Sequence, residues 1–227
     1  MAGGDVKQVN VRLVVLSVRE GRLDALLLRL PGSVWALPGA AVGSGATLEA
    51  AASRALELQT GVRGIRLEQL YTFDRDGGIG VSVAHLALIP AERHPLSPGA
   101  EIVEVRWFPL DDLPALEASD AEILEYGRAR VRAKAAYAPI ALDLLPEAFT
   151  LGELQGVYEA VLDRPLDTRN FRRDVLASGV VEPLGRTRSD GPGRPARLYR
   201  SAGGDFQALA PERRIARAIA EADGADR

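Results

Sequence analysis

The first half of the chain alternates apolar segments with short glycine-containing turns, a pattern typical of β-strands joined by hairpins. Residues 9–18 are rich in β-branched side chains and predict a strand, and the turn at Glu20-Gly21 leads into a second strand over 23–30. The same pattern predicts three further strands, at 65–74, 79–89 and 102–108. This part of the chain therefore predicts a sheet.

A helix is predicted between the second and third of these strands. Thr47 is a suitable N-cap residue, and Gly61 is a suitable C-cap residue because glycine adopts the left-handed conformation without a steric penalty. The apolar residues between them recur at the spacing of one helix face: Leu48, Ala51, Ala52, Ala55 and Leu56. A helix within a series of strands predicts an α/β (α+β) domain.

A second helix is predicted over 119–136, opening with the capping-box pattern Ser119 to Glu122. Its apolar face consists of Ile123, Leu124, Gly127, Val131 and Ala135. Pro139 and Pro146 follow the helix and mark a boundary, because proline cannot continue a helix.

Past this boundary the predicted order is helix, turn, helix and hairpin, which is the order of a winged helix-turn-helix. The helices are predicted over 150–162 and 168–179, and the strands over 180–184 and 196–199. The first helix opens with a capping box, Thr150 to Glu153, and Thr168 is expected to cap the second. Three parts are thus predicted: a domain over 1–138 that includes the 119–136 helix as a linker or dimer helix, a winged helix-turn-helix over 139–201, and a C-terminal helix and tail over 202–227.

Composition excludes several kinds of chemistry. The chain of 227 residues contains no cysteine, which rules out disulfides, iron–sulfur clusters and thiol catalysis. With only His85 and His94, a metal site built from histidines is not expected. No aliphatic run approaches the roughly 20 residues of a membrane helix, and the first residues lack the apolar core of a signal peptide. We therefore expect a cytoplasmic protein that has no membrane partner, no metal and no cofactor.

The charge of the chain is unevenly distributed. The net charge is -3, but residues 169–200 hold eight arginines against Asp174, Glu182 and Asp190. The rest of the chain is correspondingly acidic. This asymmetry predicts a basic surface on one part of an otherwise acidic protein.

The arginines of this segment fall on the second helix of the predicted winged helix-turn-helix and on its hairpin. Arg169, Arg172 and Arg173 lie within an arc of about 100° on the helix, and the amide of Asn170 at its edge could bind an adenine. Leu176 lies near this arc, which would fit a helix end that turns back into the core. The hairpin contributes Arg186, Arg188, Arg194 and Arg197. This arrangement predicts a helix in the major groove of double-stranded DNA and a wing on phosphate.

The segment from Trp35 to Val62 resembles the signature of Nudix hydrolases. Its Leu-Pro-Gly turn ends at Gly39, and Arg54 and Leu56 match in the register fixed by Gly61. The residues at the acidic positions of the signature are Ala46, Ala55, Leu58 and Gln59. The missing glutamates would bind Mg²⁺, which neutralises the phosphoryl oxygens during diphosphate hydrolysis. We therefore expect no efficient Mg²⁺-dependent hydrolysis through this box.

Two other glutamates keep a second function open. Glu49 lies on the first turn of the predicted helix, and Glu57 lies about a quarter-turn from position 58. A Nudix-type hydrolase of ADP-ribose or a related nucleoside-diphosphate derivative, with these residues as altered metal ligands, is the alternative to a DNA-binding protein. A third hypothesis is an adaptor whose winged helix binds protein.

A lost catalytic box does not exclude a binding pocket. Residues 71–76, Tyr-Thr-Phe-Asp-Arg-Asp, resemble a segment of the Nudix proteins that handle ADP-ribose. An aromatic ring can stack on adenine or ribose, and an arginine can bind a diphosphate through two hydrogen bonds. The candidate effector-binding residues are Arg29, Arg54, Phe73, Arg75 and Asp76.

The C-terminal motifs make the resemblance more specific. Residues 169–174 and 193–200 resemble the winged-helix signature of the Nudix-related transcriptional regulators of NAD metabolism, the NrtR family, and residues 136–141 and 149–155 are also similar to that family. The resemblance implies a Nudix-like α/β/α sandwich with a mixed sheet, followed by a winged helix-turn-helix, in a homodimer. It also implies a repressor of NAD synthesis or salvage genes that leaves a palindromic operator when ADP-ribose or a related NAD metabolite binds.

Overall fold

A computed structural model describes residues 8–75, 80–135, 138–189 and 195–203. These residues form two compact units, which divide the chain mainly between Arg130 and Val131. The predicted C-terminal helix and tail lie outside the described residues from position 204 onward. Within the described ranges, no helix is both long enough and apolar enough to cross a membrane.

The first unit contains most of the strands. They are β1 (Gln8–Arg19), β2 (Arg22–Arg29), β3 (Trp35–Ala36), β4 (Gly39–Ala41), β5 (Glu68–Asp74), β6 (Gly80–Leu88) and β7 (Glu104–Pro109). Helix α1 (Leu48–Thr60) lies between β4 and β5, a 3₁₀ helix (Ala91–Arg93) precedes β7, and helix α2 (Ala118–Ala135) follows it. The second unit consists of a 3₁₀ helix (Ile140–Leu144), α3 (Leu151–Leu162), α4 (Thr168–Ser178), β8 (Val181–Arg188) and β9 (Ala196–Ser201).

The strands of the first unit form one mixed sheet. Their order is β3-β2-β1-β6-β5, with β4 paired to β1 and β7 paired to β2, and β1 and β6 run parallel. Because side chains alternate along a strand, Val11 and Leu13 pack in one core with Leu56 of α1, while Val14 faces Gly127 of α2. The two helices thus cover opposite faces of the sheet, which confirms the predicted α/β/α sandwich.

Several predicted helix ends are confirmed. The side chain of Thr47 accepts a hydrogen bond from the N–H of Ala50 at 3.2 Å, and Gly61 ends α1 with a φ of 78°. Thr150 and Glu153 form the reciprocal capping box at the start of α3, each side chain accepting a hydrogen bond from the other residue's N–H. These local signals fix where α1 and α3 begin.

Two predicted caps are wrong. Helix α2 begins at Ala118, so Ser119 already lies within its first turn and cannot be its N-cap. Helix α4 is capped by Asp167, whose carboxylate accepts a hydrogen bond from the N–H three residues later at 2.8 Å. Thr168 is instead the first residue of the helix, and its hydroxyl accepts a hydrogen bond from the side chain of Gln155 at 3.1 Å.

The second unit has its own apolar core. Tyr158 of α3 packs edge-on against Phe171 of α4, with ring centroids 5.5 Å apart, and burial raises the pKa of the Tyr158 hydroxyl. Phe149, just before α3, exchanges two backbone hydrogen bonds with Tyr199 of β9, at 3.0 and 2.7 Å. The hairpin is thereby attached to the helices, which completes the winged helix-turn-helix.

The turn between α3 and α4 is held by two side chains of α3. The carboxylate of Glu159 accepts hydrogen bonds from the Leu166 N–H at 2.8 Å and from the Gln155 amide at 2.9 Å. The same Gln155 amide donates to the Leu166 carbonyl at 3.1 Å. This network fixes the entry of the chain into α4, the helix that carries the basic face.

Candidate effector cleft and nucleic-acid interface

Helix α1 carries the Nudix-like box, and other contacts replace those of the missing glutamates. Leu58 is 60 % exposed. The amide of Gln59 donates to the carbonyl of Gly39 and accepts a hydrogen bond from the N–H of Gly39, both at 2.9 Å. The second position of the expected Glu-Glu pair therefore holds a backbone turn.

The carboxylates of Glu49 and Glu57, the alternative metal ligands, do not form a metal-binding cluster with other described residues. Glu49 is exposed on the first turn of α1, and Glu57 is 3.8 Å from the guanidinium of Arg63. In the part of the chain that the structure describes, no three His, Asp or Glu side chains are placed to hold one metal ion. Magnesium requires several oxygen ligands, so Glu49 and Glu57 alone do not make a magnesium site.

A cleft of about 450 Å³ opens in the first unit, beside the first turn of α2. It is lined by Gln8, Arg12, Leu30, Ser33, Val34, Ala36, Arg75, Gly80, Glu117, Ser119 and Asp120. The apolar side chains of Leu30 and Val34 are 40 % and 42 % exposed. Because the lining combines apolar surface with charged groups of both signs, the cleft is suited to a small polar ligand with an apolar part.

An ion pair joins β1 to α2 in this cleft. The Arg12 Nε donates to Asp120 Oδ1 at 3.0 Å, and Asp120 Oδ2 accepts a hydrogen bond from the N–H of Leu37 at 2.9 Å. The side chain of Asp120 is only 2 % exposed, whereas that of Arg12 is 25 % exposed. A buried carboxylate needs such partners, so both residues depend on each other. Neither residue was among the predicted effector-binding residues.

Of the four predicted effector-binding residues that the structure describes, Arg75 alone lines the cleft. Its side chain bonds to no described residue. Arg29 lies on β2, where it donates to a carboxylate of β7 at 3.2 Å and lies 5.5 Å from the ring centroid of Trp35. Arg54 is exposed on α1, and Asp76 lies outside the described residues.

Phe73 lies in an aromatic cluster on β5 and α2. Its ring is 5.3 Å from that of Tyr71 and 5.5 Å from that of Tyr126, both edge-on, and the two tyrosine rings stack at 5.1 Å. The contacts of the Phe73 ring are therefore with protein side chains.

Helix α4 presents a basic face on the second unit. Arg169 and Arg172 are exposed and bond to no acidic side chain among the described residues. Arg173 donates to both carboxylate oxygens of Asp174, at 2.7 and 3.2 Å, and to the amide oxygen of Asn170 at 3.1 Å. Arg169 and Arg172 are thus the more accessible cations of this helix.

The expectation that Leu176 turns back into the core is wrong. Helix α4 stays regular to Ser178, so Leu176 remains one turn beyond Arg172 on the same face, and it is 50 % exposed. Phe171 and Val175 anchor the opposite face of the helix in the core. The basic face of α4 therefore includes one large apolar side chain.

The predicted wing residues differ in their environments. Arg186 of β8 and Arg197 of β9 are exposed, and neither forms an ion pair with a described residue. Arg188 is paired with Glu153, the capping-box residue of α3. Arg194 lies outside the described residues. The first two arginines can reach a ligand in solution without breaking an ion pair, whereas Arg188 attaches the wing to α3.

Comparison with known proteins agrees with this two-part architecture. A family model of the NUDIX domain matches residues 6–126, and one of the NrtR DNA-binding winged helix domain matches residues 141–201. The ADPR responsive transcriptional repressor NtrR of Acinetobacter baylyi is 34 % identical over 211 residues, covering 87 % of this chain and 83 % of that protein. The chain belongs to the NrtR family.

Solved structures extend the NrtR-family likeness over nearly the whole chain. The crystal structure of Shewanella oneidensis NrtR complexed with a 27mer DNA superposes with a TM-score of 0.74 at 29 % identity, covering 92 % of this chain and 95 % of that one. The NUDIX domain of the same protein, complexed with ADP ribose, covers 56 % of this chain and 90 % of its own, with a TM-score of 0.51 at 24 % identity, and shares the fold.

Proposed function

We propose that this chain is a DNA-binding transcriptional repressor of NAD biosynthesis or salvage genes, and that ADP-ribose or a related NAD metabolite releases it from its operator. The A. baylyi relative is a repressor that responds to ADPR, and the S. oneidensis relative was crystallised with DNA. The observation that carries the proposal is the accessible pair Arg169 and Arg172 on α4, in a chain whose Nudix-like box lacks its glutamates.

In this proposal α4 enters the major groove of double-stranded DNA. Arg169 and Arg172 are the first candidates for base or phosphate contacts, since an arginine can bind a guanine edge through two hydrogen bonds. Arg186 and Arg197 would then contact phosphate. Asn170, Arg173, Arg188 and Arg194 remain candidates. A homodimer would present two such helices to the two halves of a palindromic operator.

The cleft in the first unit is the proposed effector site. Arg12 and Arg75 supply positive charge for a diphosphate, and Leu30 and Val34 supply apolar surface for a ribose or base. Arg29, Arg54, Phe73 and Asp76 remain predictions as effector-binding residues.

We further propose that the chain performs no efficient Mg²⁺-dependent hydrolysis at α1. Leu58 cannot ligate a metal, and Gln59 is engaged with Gly39. A hydrolase using Glu49 and Glu57 instead would release AMP from ADP-ribose in the presence of Mg²⁺ or Mn²⁺. That activity would be lost in a Glu49→Gln/Glu57→Gln variant.

The test is capture of fragments of the source organism's genomic DNA by the full chain, at roughly physiological salt, with and without ADP-ribose. We expect enrichment of a palindrome near NAD-metabolism genes, lost when ADP-ribose is added and absent for an Arg169→Ala/Arg172→Ala variant. Enrichment that ADP-ribose leaves unchanged would support DNA binding by a repressor and reject ADP-ribose as its effector. No enrichment would reject the repressor, and AMP release would then favour the hydrolase. Nucleic-acid binding that does not respond to salt would favour the adaptor.

A further inference from the structure

We infer that Arg12 is the residue through which the cleft detects a diphosphate, and that a bound diphosphate takes Arg12 away from Asp120. The inference rests on the proposed function, because it concerns how the same cleft controls DNA binding. It starts from Arg12, whose side chain lines the cleft and is bonded to Asp120 in the first turn of α2.

Arg12 uses only part of its hydrogen-bonding capacity. Its Nε donates to Asp120 at 3.0 Å, its Nη1 has a long contact of 3.5 Å with the carbonyl of Val11, and its Nη2 bonds to no described residue. A guanidinium binds carboxylate or phosphate best through two parallel hydrogen bonds. The single bond to Asp120 therefore leaves Arg12 able to form a stronger pair with a phosphate.

The charges around the cleft make this a competition. Arg75 adds a second cation, whereas Glu117 and Asp120 add two carboxylates that repel an anion. A diphosphate therefore binds when Arg12 turns from the Asp120 carboxylate to the phosphates. Loss of the Arg12–Asp120 ion pair opposes binding, and charge-assisted contacts of the phosphates with Arg12 and Arg75 offset that loss.

Breaking the pair changes the start of α2. Asp120 is almost fully buried and keeps only its second hydrogen bond, to the N–H of Leu37, once Arg12 leaves. A buried charge without its counter-ion is strongly unfavourable, so the first turn of α2 must rearrange to reach water or a new partner. Helix α2 is continuous to Ala135, and its residues from Val131 onward are grouped with the DNA-binding unit. A rearrangement at Asp120 is thus passed along a helix that ends in the other unit.

Two substitutions separate this role from a structural one. Asp120→Asn keeps the shape of the side chain but removes the charge that competes for Arg12. Arg12→Lys keeps the positive charge beside Asp120 but cannot bind a phosphate through two parallel hydrogen bonds. We expect ADP-ribose, titrated by calorimetry into the full chain, to bind at least about threefold more tightly to Asp120→Asn and at least about tenfold more weakly to Arg12→Lys. A pair that only stabilises the fold would shift both affinities in the same direction.

The DNA readout uses the fragment recovered by genomic capture. For the native chain we expect ADP-ribose to weaken DNA binding by about 5–150-fold, and for Asp120→Asn by less than a third of that factor, with weaker DNA binding in the absence of ADP-ribose. Arg128→Gln is the matched control. The Arg128 Nη2 of α2 donates to Asp111 Oδ1 at 2.9 Å, and neither residue lines the cleft. Arg128→Gln should keep the native response.

The outcomes for the inference and for the proposed function differ. If the native chain responds to ADP-ribose and Asp120→Asn responds equally, with unchanged ADP-ribose affinity, the inference is wrong and the repressor stands. If the native chain binds DNA but does not respond to ADP-ribose, both the proposed effector and the role of Arg12 are rejected. If Arg128→Gln loses the response as fully as Asp120→Asn does, any tether of α2 is sufficient, which also overturns the specific role of Arg12.

Discussion

The side-chain amide of Gln59 hydrogen bonds to both the N–H and the carbonyl oxygen of Gly39, at 2.9 Å each. This arrangement needs one acceptor and one donor on the same side chain, which an amide provides and a carboxylate does not. The Cβ of any other residue at position 39 would lie 2.3 Å from the carbonyl oxygen of Val11, so the turn is also closely packed against β1. Position 59, which is an acidic position in the Nudix signature, is thus part of the structure of the Pro-Gly turn in this chain.

We therefore expect Gln59→Glu, which restores the glutamate of the Nudix signature, to destabilise the first unit by about 1–3 kcal/mol. The carboxylate would face the carbonyl oxygen of Gly39 without a proton to donate. Urea unfolding measures the effect, and Gln69→Glu on the exposed side of β5 is the control for added charge. A variant as stable as the native chain would mean that the turn does not depend on the amide. No gain of Mg²⁺-dependent AMP release is expected, because Leu58 is unchanged.

The arginines of α4 should differ in their effect on DNA binding. Arg172→Ala is expected to weaken binding to the captured operator by about 1–3 kcal/mol. Arg173→Ala should have a smaller effect, because Arg173 must first leave Asp174. Fluorescence anisotropy at several salt concentrations measures both, with Arg66→Ala in the first unit as the charge-matched control. Native affinity in both α4 variants would exclude α4 as the recognition helix.

Two arginines of the wing should have different roles: we expect Arg186 to bind DNA and Arg188 to stabilise the second unit. Arg186→Ala is expected to lower the dependence of log affinity on log salt by about 1, as expected for one lost phosphate contact. Arg188→Ala should leave this slope unchanged and instead destabilise the second unit by about 0.2–1 kcal/mol, because Glu153 loses a partly exposed partner. A reduced slope for Arg188→Ala would show that Arg188 exchanges Glu153 for phosphate on binding.

A buried histidine gives the first unit a dependence on pH. His85 is 4 % exposed, and burial lowers its pKa below the usual 6.5, although a hydrogen bond with the Val83 backbone and the charge of Glu49 favour protonation. The unfolded chain therefore takes up a proton at a higher pH than the folded chain does, so the free energy of unfolding falls as the pH drops below about 6.5. Urea unfolding between pH 7.5 and about 5 should show a weaker decline for His85→Gln. The pKa of His94 is lowered as well, so His94→Gln is the necessary comparison.

Elements set by local signals could be predicted from the sequence. The caps of α1 depend on Thr47 and Gly61 themselves, and the capping box of α3 depends on two residues three positions apart. The order of the second unit followed from such signals as well. The wrong cap at Thr168 is a choice between two neighbouring cap-forming residues, since Asp167 takes that role. The wrong cap at Ser119 arises because α2 begins one residue earlier, at Ala118.

The candidate site was less predictable because distant residues create it. Arg12 and Asp120 are 108 positions apart, and no motif links the two positions. One signal was present in the sequence: Arg12 interrupts an apolar strand on the face opposite Val11 and Leu13. A charged residue at such a position requires a partner from the element covering that face, which is α2. Arg75, which also lines the cleft, could be predicted as a candidate from its motif alone.

Gly127 tests how closely α2 packs on the sheet. A Cβ at this position would lie 2.8 Å from the Val14 Cγ1, so Gly127→Ala must push α2 away from β1. We expect this overpacking to lower the free energy of unfolding by about 1–3 kcal/mol. The higher helix propensity of alanine should offset up to about 1 kcal/mol of that decrease. Gly156→Ala in α3 is the matched control, since a Cβ there would meet nothing within 4 Å, and it should stabilise the chain by about 0.5–1 kcal/mol. Urea unfolding of both variants measures the difference. Equal stabilisation by the two substitutions would contradict the contact between α2 and β1, and with it the placement of Asp120 beside Arg12.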